Sequence, residues 1–266
     1  MISFDAVTAW GVDHPWPTRE QVEQDLLLSR AICAIGADPY LGSELVFRGG
    51  TALHKLHLPE PWRYSEDLDY VRVSGGGIKP LTQALTLLGE ELGFTVSTRV
   101  GEHPKILWRT TAQTGIPLRL KIEVNTFERS PALPHLLLPY AVRSPWWSGE
   151  ARVRTFQPAE LMATKIRALY QRSKGRDLFD LWLAIDVLGL DPGEIVAAFT
   201  PYRPPGMTRG HAEANLQAKL RDRTFRSDLK PLIRSTPRAY DPDVAAERVS
   251  TLLLARLDGG TPTKGL

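Results

Sequence analysis

The rhythm of hydrophobic and polar positions changes once along the chain, near residue 158. Before that point helices and strands alternate. Apolar residues recur at helical spacing from Thr18 to about Ala34, and Thr18 with Gln21 has the spacing of a capping box. "ELVFRGG" (44–50) predicts a short strand ending in glycines, "TALHKLHL" a helix, and "DLDYVRV" (67–73) an alternating strand. The glycines of "SGGG" (74–77) break the chain before a helix through "LTQALTLLGEELG". Three strands follow in "FTVSTRV", "KILWRTT" and "PLRLKIEVNTF". In the last, Leu118, Leu120, Ile122 and Val124 face one side, and Arg119, Lys121, Glu123 and Asn125 the other. Between about 130 and 157, prolines and aromatics predict irregular or edge structure and a change of domain. From Pro158 onward the spacing is helical, through "PAELMATKIRALYQR" and "RDLFDLWLAIDVLG", with further helices at 191–200, 208–225 and 241–257 and a fraying tail at 258–266. The expected fold class is α+β: a mixed sheet with flanking helices over 1–157, then a helical domain over 158–266, with a cleft between them.

Composition narrows the setting. Hydrophobic residues make up 42% and charged residues 24%, as in soluble globular proteins. No apolar run approaches the ~18–20 residues of a membrane span, and the N-terminus lacks the pattern of a signal peptide, so a cytoplasmic location is expected. Cys33 is the single cysteine, which leaves no intrachain disulfide and no cysteine-based metal site. The net charge of +3 names no partner, but residues 203–238 hold nine Lys or Arg against three acids, a local balance of +6. Such a segment suits a phosphate backbone and equally suits a solvated helix face.

The candidate chemistry lies in "FRGGTALHKLHLPEPWRYSEDLDYVRV" (47–73). Asp67 and Asp69 are two apart on a strand, so both carboxylates reach one point, where a cation would relieve their repulsion. Oxygen ligands with an open coordination sphere favour Mg²⁺ or Mn²⁺ shared with substrate phosphates. Glu123, on another alternating strand, supplies a third carboxylate for a two-metal clamp. Gly49 and Gly50 let backbone N–H groups approach phosphates closely, and Thr51 adds a hydroxyl at a helix start. Arg48, Arg63 and Ser65 bracket the same region. A Gly-Gly pair alone is a turn and an Asp-x-Asp alone is a solvated strand edge; their ordered combination points to a nucleoside triphosphate and its metal. His54 and His57 lack a third ligand and read as structural; Trp146 and Trp147 read as a pinned loop, and Cys33 as core packing.

"GGTALHKLHL", "RYSEDLDY", "KIEV" and "ELMATKIRALYQRSKGRDLFDLW", in that order, resemble the AbiEii/AbiGii-type nucleotidyltransferase toxins. These include the MenT toxins and belong to the DNA polymerase β-like nucleotidyltransferase superfamily; the resemblance spans about 45–185. Gly-Gly-Thr in place of the superfamily's Gly-Ser is the usual form of this branch, whereas Glu123 lengthens the third ligand by one methylene. The resemblance implies a metal-dependent enzyme with Asp67, Asp69 and Glu123 at the metal. It places Lys165 on the phosphates and Arg176 among the nucleotide-binding residues. Asp180 would orient Lys165 or act as base on the acceptor hydroxyl. The implied reaction transfers a nucleoside monophosphate from an NTP to the 3′ end of tRNA, releasing pyrophosphate and stopping growth. An antitoxin partner, often a winged-helix protein, is implied as well. Arg221, Arg223 and Arg226 in the basic segment would then contact RNA. Transfer to a protein side chain or a small molecule, or nucleotide binding without turnover, are the competing readings.

Overall fold

Ser3 opens the first helix, α1 (Phe4–Asp13), by accepting the Ala6 N–H. Thr18 opens α2 (Arg19–Ala37) through the complete capping box that its spacing with Gln21 predicts. Asp38 caps the short α3 (Pro39–Glu44), which leads into β1 (Leu45–Arg48). These elements belong to a computed structural model in which residues 2–234 and 240–258 are described. Arg238 of the basic segment and residues 259–266 of the tail lie outside them.

After β1 the chain enters α4 (Gly49–Ala52), which continues as a π-helical turn over Leu53–His57. Then come β2 (Asp67–Arg72), α5 (Lys79–Glu91), β3 (Thr95–Arg99), β4 (Lys105–Thr111) and β5 (Pro117–Asn125). A hairpin of β6 (Leu136–Arg143) and β7 (Ser148–Thr155) completes a seven-stranded sheet in the order β3-β4-β5-β2-β1-β7-β6. β2 runs parallel to β5 and β1 parallel to β7; the other pairs are antiparallel. The sheet is therefore mixed. The 130–157 segment departs from its irregular expectation: β6 is an edge strand, but β7 is inside the sheet. Pro139 sits in β6, where an edge strand tolerates a missing N–H. The Trp146–Trp147 turn packs against the core, with the Arg30 guanidinium 5.1 Å from the Trp146 ring.

One face of the sheet is dry. Phe47, Leu68, Tyr70, Ile106, Trp108, Leu120, Ile122 and Val124 pack there with Leu26, Leu28 and Ile32 of α2 and Leu81 and Leu85 of α5. Each such aliphatic side chain contributes about 1.5–3 kcal/mol when fully buried. Trp108 is sealed in this layer and donates its indole N–H to the Leu85 carbonyl at 3.1 Å. Cys33 is buried against the β6–β7 hairpin, its thiol 3.8 Å from the Tyr140 and Gly149 carbonyls, and burial pushes it up to about 11.

Of the described residues, this unit comprises 2–157 and, from far along the chain, Leu232–Arg234. Leu232 packs on the core and its carbonyl accepts the Tyr64 N–H at 2.8 Å. A second unit holds Pro158–Pro231 and, of the described residues, 240–258. It is helical: α6 (Pro158–Gln171), α7 (Gly175–Asp186), α8 (Pro192–Phe199), α9 (Arg209–Leu220), α10 (Arg223–Ser227) and α11 (Pro242–Leu252). The single helix expected over 208–225 is two, because Asp222 caps a new one by accepting the Thr224 N–H.

Candidate nucleotide-binding site

The Gly-Gly step is dictated by its neighbours. Gly49 has φ +80°, in the left-handed region that suits glycine, and a Cβ there would stand 2.7 Å from an Asp69 carboxylate oxygen. A Cβ on Gly50 would collide with the Arg63 guanidinium. Arg63 is buried and donates to the Tyr64 carbonyl at 3.0 Å. Thr51 is buried as well. Its hydroxyl donates to the Asp67 carbonyl at 2.6 Å and shares a hydrogen bond with the Ser65 hydroxyl at 2.9 Å. Thr51 and Ser65 thus fasten the start of α4 to the start of β2. Behind this turn Lys55 pairs with the buried Asp25 at 2.7 Å, and Asp25 also accepts the Trp10 indole N–H at 2.9 Å. Nothing in the local sequence signals that anchor, because its acid lies 30 residues upstream.

Register then places the acids. Asp69 lies directly between Arg48 of β1 and Glu123 of β5, and Asp67 is opposite Lys121. All five side chains belong to the face opposite the core, since directly paired residues share a face. Asp67 takes the Lys121 ammonium at 3.0 Å, and that ammonium is also 3.5 Å from Glu123. Lys105 stands 3.5 Å from Glu123 on its other side, and Arg48 pairs with Glu128 at 2.6 Å. Burial, and then the charge of Asp67, hold the Asp69 carboxyl above the usual aspartate range, against the pull of Arg48 and Lys121. Burial draws Lys121 down, but Asp67, with Asp69 and Glu123 behind it, holds it above the ordinary lysine range.

Among the described residues no three His, Cys, Asp or Glu side chains form a ready-made metal cluster. The Asp67–Asp69 pair nonetheless has donors that suit a divalent cation: two carboxylates on one face, one of them desolvated by burial. His54 is buried in the π-helical turn, and His57 stands 3.5 Å from the Thr155 hydroxyl.

In the second unit Lys165 is the hub of a buried charge network. It is 6% exposed, and its ammonium lies 2.9 Å from both Asp177 and Asp180, which are fully buried. Arg172 adds two bonds of 2.8 Å to Asp177. Burial pushes the Asp177 carboxyl up, but Lys165 and Arg172 outweigh it and hold it below the usual range. Asp177 is thus far more than a first-turn acid favoured by a helix dipole, and it shares Lys165 equally with Asp180. Arg176 turns toward Asp228, to which its backbone N–H donates at 3.2 Å.

The basic segment carries less free charge than its composition. Arg226 is held by Asp243 through two bonds of 2.8 Å, and Arg209 by Glu213 at 2.8 Å. Arg203 donates to the Met207 and Leu257 carbonyls, and Lys219 to those of Leu169 and Tyr170. Arg221, Arg223 and Lys230 are exposed and make no ion pair among the described residues.

A family model described as "Nucleotidyl transferase AbiEii toxin, Type IV TA system" matches residues 30–253. The chain therefore belongs to the AbiEii family of nucleotidyltransferase toxins, and membership in a type IV toxin–antitoxin system implies an antitoxin partner. Among solved structures it is similar to MenT4, a nucleotidyltransferase toxin from Mycobacterium tuberculosis. That match has a TM-score of 0.68 and 20% identity, and covers 97% of this chain and 91% of that one, which establishes the shared fold. An antigenic nucleotidyltransferase-like protein from Paracoccidioides brasiliensis matches with a TM-score of only 0.38 at 19% identity, over 88% of this chain and 96% of that one. Curated protein sequences gave no significant match. Among the described residues no helix is long and apolar enough to cross a membrane.

Proposed function

We propose that the protein transfers a nucleoside monophosphate from an NTP to the 3′ end of tRNA in the cytoplasm, and so blocks translation and growth. The observation that carries this reading is the Gly49–Gly50 turn seated against Asp69, with Asp67 beside it on the same strand. Phosphates lie over the side-chain-free turn, and Asp67 and Asp69, with Glu123 next to them, hold Mg²⁺ or Mn²⁺. When bound, that cation neutralises phosphate charge and draws electron density from the reacting phosphorus. Arg63 and Arg48 add positive charge around the turn, while Thr51 and Ser65 keep its shape. In the second unit Asp177 and Asp180 fix the Lys165 ammonium in one position. The antitoxin that family membership implies would be, on this reading, a winged-helix protein.

The experiment is incubation with total tRNA, Mg²⁺ and each α-labelled nucleoside triphosphate in turn, with Asp69→Ala in parallel. Label should appear on tRNA with the unmodified protein and vanish with the variant, whose circular dichroism should stay native. Label on a protein or small molecule instead would move the acceptor. Full transfer by a folded Asp69→Ala would overturn the site.

A further inference from the structure

The antiparallel end of the sheet, on the face opposite the core, leads to the carboxylates through ranks of cations. Register sets Arg99 beside Lys105, Lys105 beside Glu123, Glu123 beside Asp69 and Asp69 beside Arg48, one rank from edge strand to β1. The next rank is Ser97, Leu107, Lys121 and Asp67; the third is Thr95, Arg109 and Arg119. Ile106, Trp108, Leu120 and Ile122 take the buried side of the same strands, so the ranks point outward. Arg99, Lys105, Arg109 and Arg119 are exposed. Lys105 and Lys121 are matched to Glu123 and Asp67, but among the described residues no ion pair holds Arg99, Arg109 or Arg119. Arg109 is steadied by the Ser97 hydroxyl.

Resting on the reading above, the geometry points to this face as the track for the acceptor strand: a single-stranded RNA end lies across β3, β4 and β5, its phosphates on Arg99, Arg109 and Arg119, and its terminus at Asp67 and Asp69. Charge has the right polarity along the path, with cations at the far edge and carboxylates where chemistry is needed. From β3 to β2 is three strand spacings, about 14 Å, so a short end suffices. A protein partner is a poor fit. Leu107 is the one large apolar residue in these ranks, and protein interfaces concentrate aromatic and apolar residues at their centre while disfavouring lysine. Polar, strongly cationic surfaces suit polyanions.

The test is the triple variant Arg99→Ser, Arg109→Ser, Arg119→Ser, which touches none of the nucleotide-binding residues. Binding of a fluorescein-labelled single-stranded RNA is followed by anisotropy over a salt series, beside binding of a nucleoside triphosphate and of polyglutamate. Affinity for RNA should fall about tenfold at low salt, and the slope of log affinity against log salt should lessen by about 2. Nucleotide binding should be unchanged. RNA binding with unaltered affinity and slope overturns the track. Polyglutamate binding lost while RNA binding is retained also overturns it, and gives the face to an acidic protein. If nucleotidyl transfer itself is the wrong reading, the unmodified protein labels no acceptor yet still binds RNA through these arginines.

Discussion

Asp177 has no route to water and two cations for company, so its charge is worth most when nothing replaces it. Asp177→Asn leaves Lys165 with Asp180 alone and weakens the grip on Arg172, and breaking a buried pair in this way costs about 3–5 kcal/mol. Because the folded carboxyl lies below the ordinary aspartate value of 3.8, its contribution is complete above that pH and is lost as pH falls through the lower folded value. Urea unfolding at neutral and at acid pH should therefore show the gap between wild type and variant closing as the solution is acidified. His57 acts with the same sign, over a higher pH interval. Burial pushes its imidazole down to about 4 from an ordinary 6.5, so the unfolded chain takes up a proton in that interval and the folded one refuses it. Stability should fall as pH drops from 6.5 toward 4, and His57→Gln should flatten that part of the melting-temperature profile.

Elements differ in how openly the sequence announces them. The alternation of β2 and β5, the Thr18 cap and the helix that begins at Pro158 could all be read, because each rests on neighbours close in sequence. The β6–β7 hairpin was hidden by its prolines: Pro145 lies in its turn, and Pro139 is tolerated because β6 is an edge strand. The acids of the site were legible as a pattern, but the cations that hold them were not: Lys121 reads as the polar half of a strand, and its partnership with Asp67 exists only through register. Lys165 likewise sits among good helix formers, and its burial is settled by acids on the next helix. Close packing between helices is equally silent in the sequence. At Gly175 a Cβ would run into the Phe225 carbonyl oxygen, which binds the start of α7 closely to α10. Gly175→Ala should destabilise by about 1–3 kcal/mol through overpacking. Gly210→Ala in α9, where a Cβ meets nothing within 4 Å, should instead stabilise by about 0.4–1 kcal/mol. Denaturant midpoints of the two variants should move in opposite directions, and equal shifts would discount the packing argument.

For the molecule as a whole, Leu232–Arg234 matters beyond its size. Those three residues complete a unit whose other members end at Gln157, and Leu232 supplies the acceptor for the backbone N–H of Tyr64, between Arg63 and Ser65. A fragment ending at Gln157 leaves that buried donor unpaired, at about 1–3 kcal/mol, and loosens the stretch that shapes the Gly-Gly turn. Such a fragment should melt below the corresponding transition of the full chain and recover when a peptide covering 229–234 is supplied. The same return of the chain bears on inheritance. A single recombination event at the boundary would exchange the helical unit and carry off the acceptor of Tyr64 with it, so the two units are inherited intact only as a pair, or traded only through a double exchange that spares three residues.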